Sequence, residues 1–317
     1  MNTLIRSGLL VSLLALPVAC SADEQSAGTT TTTTAVETTT PSTTTGSSTT
    51  VTTTTAPTST TTASTLPVTV VPTTAAPTTV PAAKAPLAAY MVRGELLTAV
   101  RRTTDAATPQ AALATLFAGP TAAEKAQGVL SLVPDAARLR GVSVRGSTVT
   151  VDVSSAFDSG GGSLAIRLRV AQVVYTATQF PGLTDVRFKV EGTLVDMISG
   201  EGVMVDPARR EQYTDGIIPP ILLESPLPGD RFVQPLVIRG TTNVFEATVN
   251  YQLVAPSGTV LLEGVTFATC GTGCWGRFEH AIEALPAGTR GPITLRVFDW
   301  SEADGVTMMD LVEFVLA

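Results

Sequence analysis

Between residues 21 and 85 the chain is built from Thr, Ser, Ala, Pro and Val with almost no charge, and this stretch decides where folding can begin. Runs such as Thr29 to Thr34 show neither a helical nor a strand period, so no apolar face exists to bury. β-Branched Thr and scattered Pro favour extended conformations, and the composition suits O-glycosylation. We therefore expect a disordered Thr/Pro-rich linker over residues 20–85. As a coil its ends would lie ~45 Å apart, at ~5–6 Å × √n. Fully stretched it would reach ~200 Å, at ~3.3 Å per residue. Compact structure is left to the residues that follow, which are enough for two domains of ordinary size.

The N-terminus carries Arg6 and then an apolar run from Leu9 to Ala19. That run is shorter than the ~20 residues a spanning helix needs, and fits the apolar region of a signal peptide over residues 1–19. The stretch Leu16-Pro17-Val18-Ala19-Cys20 resembles the bacterial lipobox, although Pro17 stands where the pattern has leucine. The resemblance implies acylation of Cys20 and an extracytoplasmic chain, lipid-anchored to the cell membrane. Ordinary cleavage near Ala19, leaving a free Cys20, is the alternative. Each buried CH₂ of an acyl chain adds ~0.8 kcal/mol of membrane affinity, so two or more chains hold stably.

The net charge of −7 argues against a nucleic-acid partner, because phosphate neutralisation needs clustered Lys and Arg. Of the three cysteines, acylation of Cys20 would leave Cys270 and Cys274 to pair in an oxidising compartment. The glycines of Cys270-Gly-Thr-Gly-Cys274 let the chain turn tightly enough for the sulfurs to meet, and the short loop would add ~2 kcal/mol. Free thiols and a metal site are the alternatives. Zinc wants about four ligands, and His280 is the only histidine.

From Pro86 the patterns change. Residues 87–92 and 96–102 read as strands, and Thr108-Pro109-Gln110 opens a helix bearing Ala112, Leu113, Leu116 and Phe117. Thr121 and Glu124 form a capping-box pattern ahead of Val129-Leu130. Residues 142–153 read as a hairpin in which Val149, Val151 and Val153 face inward. Gly160, Gly161 and Gly162 read as a flexible connection to a helix with Ile166, Val170, Val173, Val174 and Ala177 on one face. Pro181-Gly182 ends it, and residues 186–190 return as a strand. The expectation is α+β, with helices against one face of a small mixed sheet. The hairpin ending Val-Asp-Val-Ser-Ser-Ala-Phe157, the helix with Gln172 and Tyr175-Thr176, and residues 186–192 resemble the GerMN domain of bacterial envelope lipoproteins and sporulation or spore-germination proteins. The resemblance covers residues 86–206. It implies an interaction or assembly module and carries over no catalytic residue.

Residues 201–218, with Pro207 and Arg209-Arg210-Glu211, read as the join. Seven short strands follow, over 221–224, 236–239, 248–254, 260–267, 276–282, 293–300 and 307–316. Turns such as Pro228-Gly229-Asp230 and Pro256-Ser257-Gly258 separate them. This spacing predicts an all-β immunoglobulin-like sandwich over 217–317. Ser225-Pro-Leu-Pro-Gly-Asp230, Pro235-Leu-Val-Ile-Arg-Gly240, Phe245-Glu246 and Ser301-Glu-Ala-Asp-Gly305 resemble the immunoglobulin-like domain of bacterial spore-germination proteins. Phe245 is expected as a core anchor and Glu246 at a turn or rim. Trp275 and Trp300 are expected in the core, with ligand stacking as the alternative.

No cofactor and no catalytic set is expected. The triple glycine lacks the Lys of a phosphate loop. Ser301 and Ala303 occupy the second and third ligand places of a would-be calcium loop starting at Asp299. Glu95, Asp152, Asp158 and Asp185 have no spacing that makes them converge, and His280 lacks a G-x-S-x-G partner. The functional expectation is a non-catalytic envelope module that binds other envelope proteins. The alternative is a peptidoglycan- or glycan-binding module of the cell wall.

Overall fold

The computed structural model describes residues 84–232, 235–301 and 305–316. The signal peptide, Cys20 and all but the last residues of the linker lie outside them.

The first domain begins with β1 (Ala85–Arg93) and β2 (Leu96–Thr104), an antiparallel hairpin. Gly94 and Glu95 at its tip both have positive φ, 57° and 66°, as a two-residue type I′ turn requires. α1 (Pro109–Phe117) starts as the sequence predicts: Thr108 Oγ1 accepts from the Ala111 amide at 3.2 Å, with proline in the first turn. α2 (Ala122–Ala126) carries the full Thr121/Glu124 capping box. β3 (Val129–Leu130) pairs with the end of β1, giving the order β2-β1-β3.

A second sheet follows. β4 (Leu139–Arg145) and β5 (Thr148–Val153) form the predicted hairpin. α3 (Ser163–Ala177) then crosses over so that β6 (Asp185–Val190) runs parallel to β5, and β7 (Thr193–Val195) closes the order β4-β5-β6-β7. The domain is thus built on a three-stranded and a four-stranded sheet where a single sheet was expected. The reason lies in α3, which is buried without interruption from Leu168 to Ala177. A helix buried all round needs cover on more than one side.

Its polar residues explain what the second side does. Gln172 and Thr176 fall at i and i+4 on one helix face, and Gln179 follows just past the helix end. Thr176 Oγ1 accepts from the Tyr90 amide at 3.0 Å, and Gln172 Nε2 donates to the Tyr90 carbonyl at 3.1 Å. Gln179 both accepts from the Ala88 amide and donates to its carbonyl, each at 2.8 Å. Beyond its short pairing with β3, the second edge of β1 is therefore met by helix side chains, which satisfy backbone groups that burial would otherwise leave bare.

The expected join at residues 201–218 is folded. After the small hairpin of β8 (Met197–Ile198) and β9 (Val203–Met204), the residues Val205, Ala208, Tyr213, Ile217 and Ile218 are buried in the first core. The Ile217 carbonyl accepts from the Leu97 amide at 2.7 Å.

The second domain is a β-sandwich. One sheet has the order β10 (Ile221–Ser225), β12 (Leu236–Thr242), β15 (Gly276–Ile282). The other has the order β11-β17-β16-β13-β14. Its strands are β11 (Arg231–Phe232), β13 (Thr248–Val254), β14 (Val260–Phe267), β16 (Gly291–Ser301) and β17 (Gly305–Leu316). All seven predicted strands are present. The unpredicted β11 is only two residues long and pairs parallel with β17. Gly240 is dictated by closeness: a Cβ there would stand 2.5 Å from the Leu222 carbonyl oxygen and 2.6 Å from the Phe278 ring.

Strand alternation in β10 joins the two domains. Ile221 and Leu223 enter the sandwich core, while Leu222 between them enters the core of the first domain. Burying Leu222 contributes about 1.5–3 kcal/mol to this union. Period two also places Glu224 on the Leu222 side, facing the first domain.

Candidate functional site

Glu224 meets Arg210 there. The guanidinium donates from Nη1 to Glu224 Oε1 at 2.6 Å, from Nε to Thr178 Oγ1 at 2.8 Å and from Nη2 to the Tyr175 carbonyl at 2.9 Å. It also lies 4.6 Å from the Tyr175 ring centroid and 5.4 Å from that of Tyr90. The Tyr90 hydroxyl donates to the same Glu224 oxygen. Side-chain exposure of the ion pair is only 9% and 12%. Burial pushes Glu224 upward, but the Arg210 charge and the hydrogen bonds from Tyr90 and Arg210 outweigh it and hold the carboxyl below its usual range. Burial, with the Glu224 charge second, pushes Tyr90 far above the ordinary phenol range. A Tyr beside a perturbed carboxylate can signal an acid–base pair. Here the Glu224–Arg210–Tyr90 bonds are all made within the joint, and the arrangement is a clamp. Arg101 of β2 adds a second cross-domain ion pair with the buried Asp230. Trp275, half-buried, packs against the first core and donates from Nε1 to Asp215 at 2.6 Å.

The depressed carboxylates give a pH dependence with a definite sign. Glu224 and Glu124 both titrate lower in the folded chain than in the unfolded one, Glu124 chiefly through its hydrogen bond from Arg102. The unfolded chain therefore binds more protons in the acid range, and stability falls as pH drops. Urea midpoints should stay level from neutral pH down to about 4.5, the ordinary glutamate value, and fall below it. In Glu224→Gln that acid loss should be shallower. An equal loss in both chains would remove Glu224 from the account.

The carboxylates weighed from sequence are dispersed. Asp152 accepts from the Gly192 amide at 3.0 Å, Asp158 from the Ser199 amide at 2.5 Å, and Asp185 pairs with Arg209 at 2.5 Å, while Glu95 sits at the β1–β2 turn. His280 Nε2 lies 3.0 Å from the Tyr251 hydroxyl. Among the described residues no three His, Cys, Asp or Glu side chains gather as metal ligands. A cleft of about 540 Å³ between α1, α2 and the loop after β3 is lined by Phe117, Pro120, Lys125, Leu130 and Asp135. Ser131 at its wall is engaged by Gln172 at 3.3 Å, so the cleft offers no free nucleophile–base pair.

Gly160, Gly161 and Gly162 form an exposed connection into α3 whose first residues are held by Arg169. The buried Arg169 donates to the carbonyls of Phe157 at 2.6 Å, Ser159 at 2.9 Å, Gly160 at 3.0 Å and Leu132 at 2.8 Å, pinning the start of the loop.

Cys270 and Cys274 face each other with Cα atoms 5.9 Å apart, a separation that suits a disulfide. Their loop braces the turn before β13: the Thr272 amide donates to the Val244 carbonyl at 3.0 Å, and Thr272 Oγ1 accepts from the Glu246 amide at 2.8 Å. Phe245, expected in the core, is 64% exposed. The buried Val244 is the anchor instead, because Glu246 and Ala247 both take positive φ and break the strand alternation around Phe245. Trp300 is likewise outside the core, 53% exposed, as is Phe267 at 68%.

Residues 83–196 match the Germane family, described as sporulation and spore germination. Residues 220–306 match Gmad2, the immunoglobulin-like domain of bacterial spore germination. The chain is thus a GerMN-like domain followed by an immunoglobulin-like domain. Among solved structures it is similar to the tandem GerMN domains of the sporulation protein GerM from Bacillus subtilis. There the identity is 12% over 63% of this chain and 61% of that one, with a TM-score of 0.35. The first GerMN domain of the same protein is 16% identical over 40% of this chain and 98% of that one, with a TM-score of 0.32. The chain spans about three fifths of the tandem structure. No curated protein matches it.

Proposed function

We propose that this chain is a non-catalytic docking module of the cell envelope, of the sporulation and germination type, anchored to the membrane through Cys20. One observation carries the reading. The buried ionisable cluster formed by Arg210, Glu224, Tyr90 and Tyr175 is spent on holding the GerMN-like and immunoglobulin-like domains as one body. A body tied to a membrane meets its partners at high local concentration, so weak contacts suffice. Envelope proteins are the partners this arrangement suits, and neither nucleic acid nor a cofactor is part of it.

Fractionation of cells expressing the parent and Cys20→Ser chains tests the reading. The parent should stay with membranes through high-salt washing and leave them in detergent. The Cys20→Ser chain should be retained at low salt and released by high-salt washing, reporting the docking contacts alone. A Cys20→Ser chain that still needs detergent would exclude the lipid anchor. One found free in the medium without any retention would exclude docking.

A further inference from the structure

The edge of β3 away from β1 holds backbone groups without partners. The two-residue β1–β2 turn closes on the Arg93–Leu96 pair, so Arg93 directs its backbone bonds to β2. Val92 then directs its own to the opposite edge, as Tyr90 and Ala88 do toward α3. There Val92 meets Leu130. The same alternation turns the N–H and C=O groups of Val129 and Ser131 away from β1. Among the described residues no hydrogen bond reaches those groups, although Val129 is only 2% exposed. Buried main-chain groups left bare in this way are rare. The cleft beside α1 and α2 lies where they point. Val129, Leu130 and Ser131 all line it, so it follows the strand edge and not one face of the strand. Its apolar walls include Leu116, Phe117 and Val133.

We infer that this cleft takes a segment of the chain's own linker, Val68-Thr69-Val70-Val71, as an added strand beside β3. Unpaired N–H and C=O groups along a strand edge are matched by another main chain, which is the chemistry of strand addition. Within residues 21–83 this is the one place with three valines in four positions, and all four residues are β-branched. Pro67 and Pro72 bound the segment and limit pairing to it. Period two puts Val68 and Val70 on one face, so two apolar side chains can enter the cleft together. Lys125 and Asp135, exposed on the cleft lining, are of opposite sign, and residues 66–73 carry no charge for either to repel. Reach and direction agree. Residues 72–84 can span ~43 Å at ~3.3 Å per residue. Val92 stands only ~24 Å from Ala85 along β1, at ~3.4 Å per residue. β3 runs antiparallel to β1, so a linker strand laid parallel to β3 points toward the start of β1, where the chain goes next. A segment tethered this closely meets the cleft at roughly millimolar effective concentration, ahead of a free partner peptide.

The test is amide hydrogen exchange on the full chain carrying Cys20→Ser, with and without Val70→Pro. A proline there removes a donor and breaks the added strand. Residue 70 lies outside both folded domains, so lost protection cannot come from their unfolding, and exchange along β5 and β16 checks this directly. Exchange over residues 128–132 should be at least about tenfold slower in the parent than in Val70→Pro, and unchanged when the protein is diluted tenfold. A blocked peptide of residues 66–73 should restore protection to the Val70→Pro chain saturably. The same peptide carrying Val68→Asp and Val70→Asp should not. Equal exchange in the two chains overturns the inference. So does protection that fades on dilution, which would put a second copy on the edge, or a peptide without effect. None of these results bears on membrane anchoring or envelope docking, which fractionation of the Cys20→Ser chain reads separately.

Discussion

Arg210→Met is expected to destabilise the folded chain by about 3–5 kcal/mol, the usual consequence of removing one partner of a buried ion pair. The methionine keeps much of the apolar stem but leaves Glu224 facing Tyr90 alone, in a joint where its side chain is 12% exposed. It also abandons Thr178 Oγ1 and the Tyr175 carbonyl, and removes the cation between two tyrosine rings. Urea unfolding followed by far-UV circular dichroism measures the loss. Tryptophan fluorescence of the same samples reports the joint through Trp275. In the parent the two transitions should coincide, because β10 contributes to both cores. In Arg210→Met the fluorescence transition should come first. A second substitution, Glu224→Leu, removes the stranded carboxylate and should restore a large part of the loss, since buried ion pairs are often replaceable by apolar side chains. A midpoint within the error of the parent would show that the clamp contributes no net stability and that apolar packing alone joins the domains.

That joint was hidden in the sequence, while most strands were plain. Residues 248–254 and 276–282 alternate between turn-forming clusters, and the structure reproduces those bounds, as it does for 260–267. Arg209-Arg210-Glu211 instead reads as a solvated charge run beside Pro207. Nothing local says that Arg210 is buried, because its partners stand at 90, 175, 178 and 224. Arg209 next to it pairs on the surface with Asp185, as the bland reading expects. The Trp300 position is legible in the strand period. Leu295 and Val297 point inward, so alternation sends Asp299 inward and Trp300 outward, and the apolar character of tryptophan argued against the period. The exposure of Phe245 is not local, since the positive φ values that follow it are accompanied by a brace from Thr272 far along the chain.

Arg169→Met should be comparably severe, at about 3–5 kcal/mol, although Arg169 has no ion-pair partner as close as the one Arg210 has. It lies on the same stripe of α3 as Gln172 and Thr176, three and seven residues away, where helical geometry stacks side chains on one face. Burial and the positive charge oppose each other: desolvation lowers the guanidinium from its ordinary value, with Asp158 pulling the other way. Four carbonyls supply the compensation. Those of Phe157, Ser159 and Gly160 bring the end of the first-domain hairpin onto the N-terminal half of α3, and that of Leu132 brings in the segment after β3. Methionine would leave all four acceptors without this donor, at a depth where water replaces it poorly. Gly161 adds a packing constraint, since a Cβ there would approach Ala165 Cβ at 3.3 Å and Arg169 Nη2 at 3.5 Å. The loss should therefore be local before it is global. Limited proteolysis should cut Arg169→Met near the glycines at urea concentrations where the parent stays intact, and amide exchange should rise first between residues 155 and 165. Arg169→Lys keeps the charge but cannot span four carbonyls on two segments with one ammonium, so it should restore less than half of the stability. Protease resistance equal to the parent in Arg169→Met would mean that the backbone alone holds the loop.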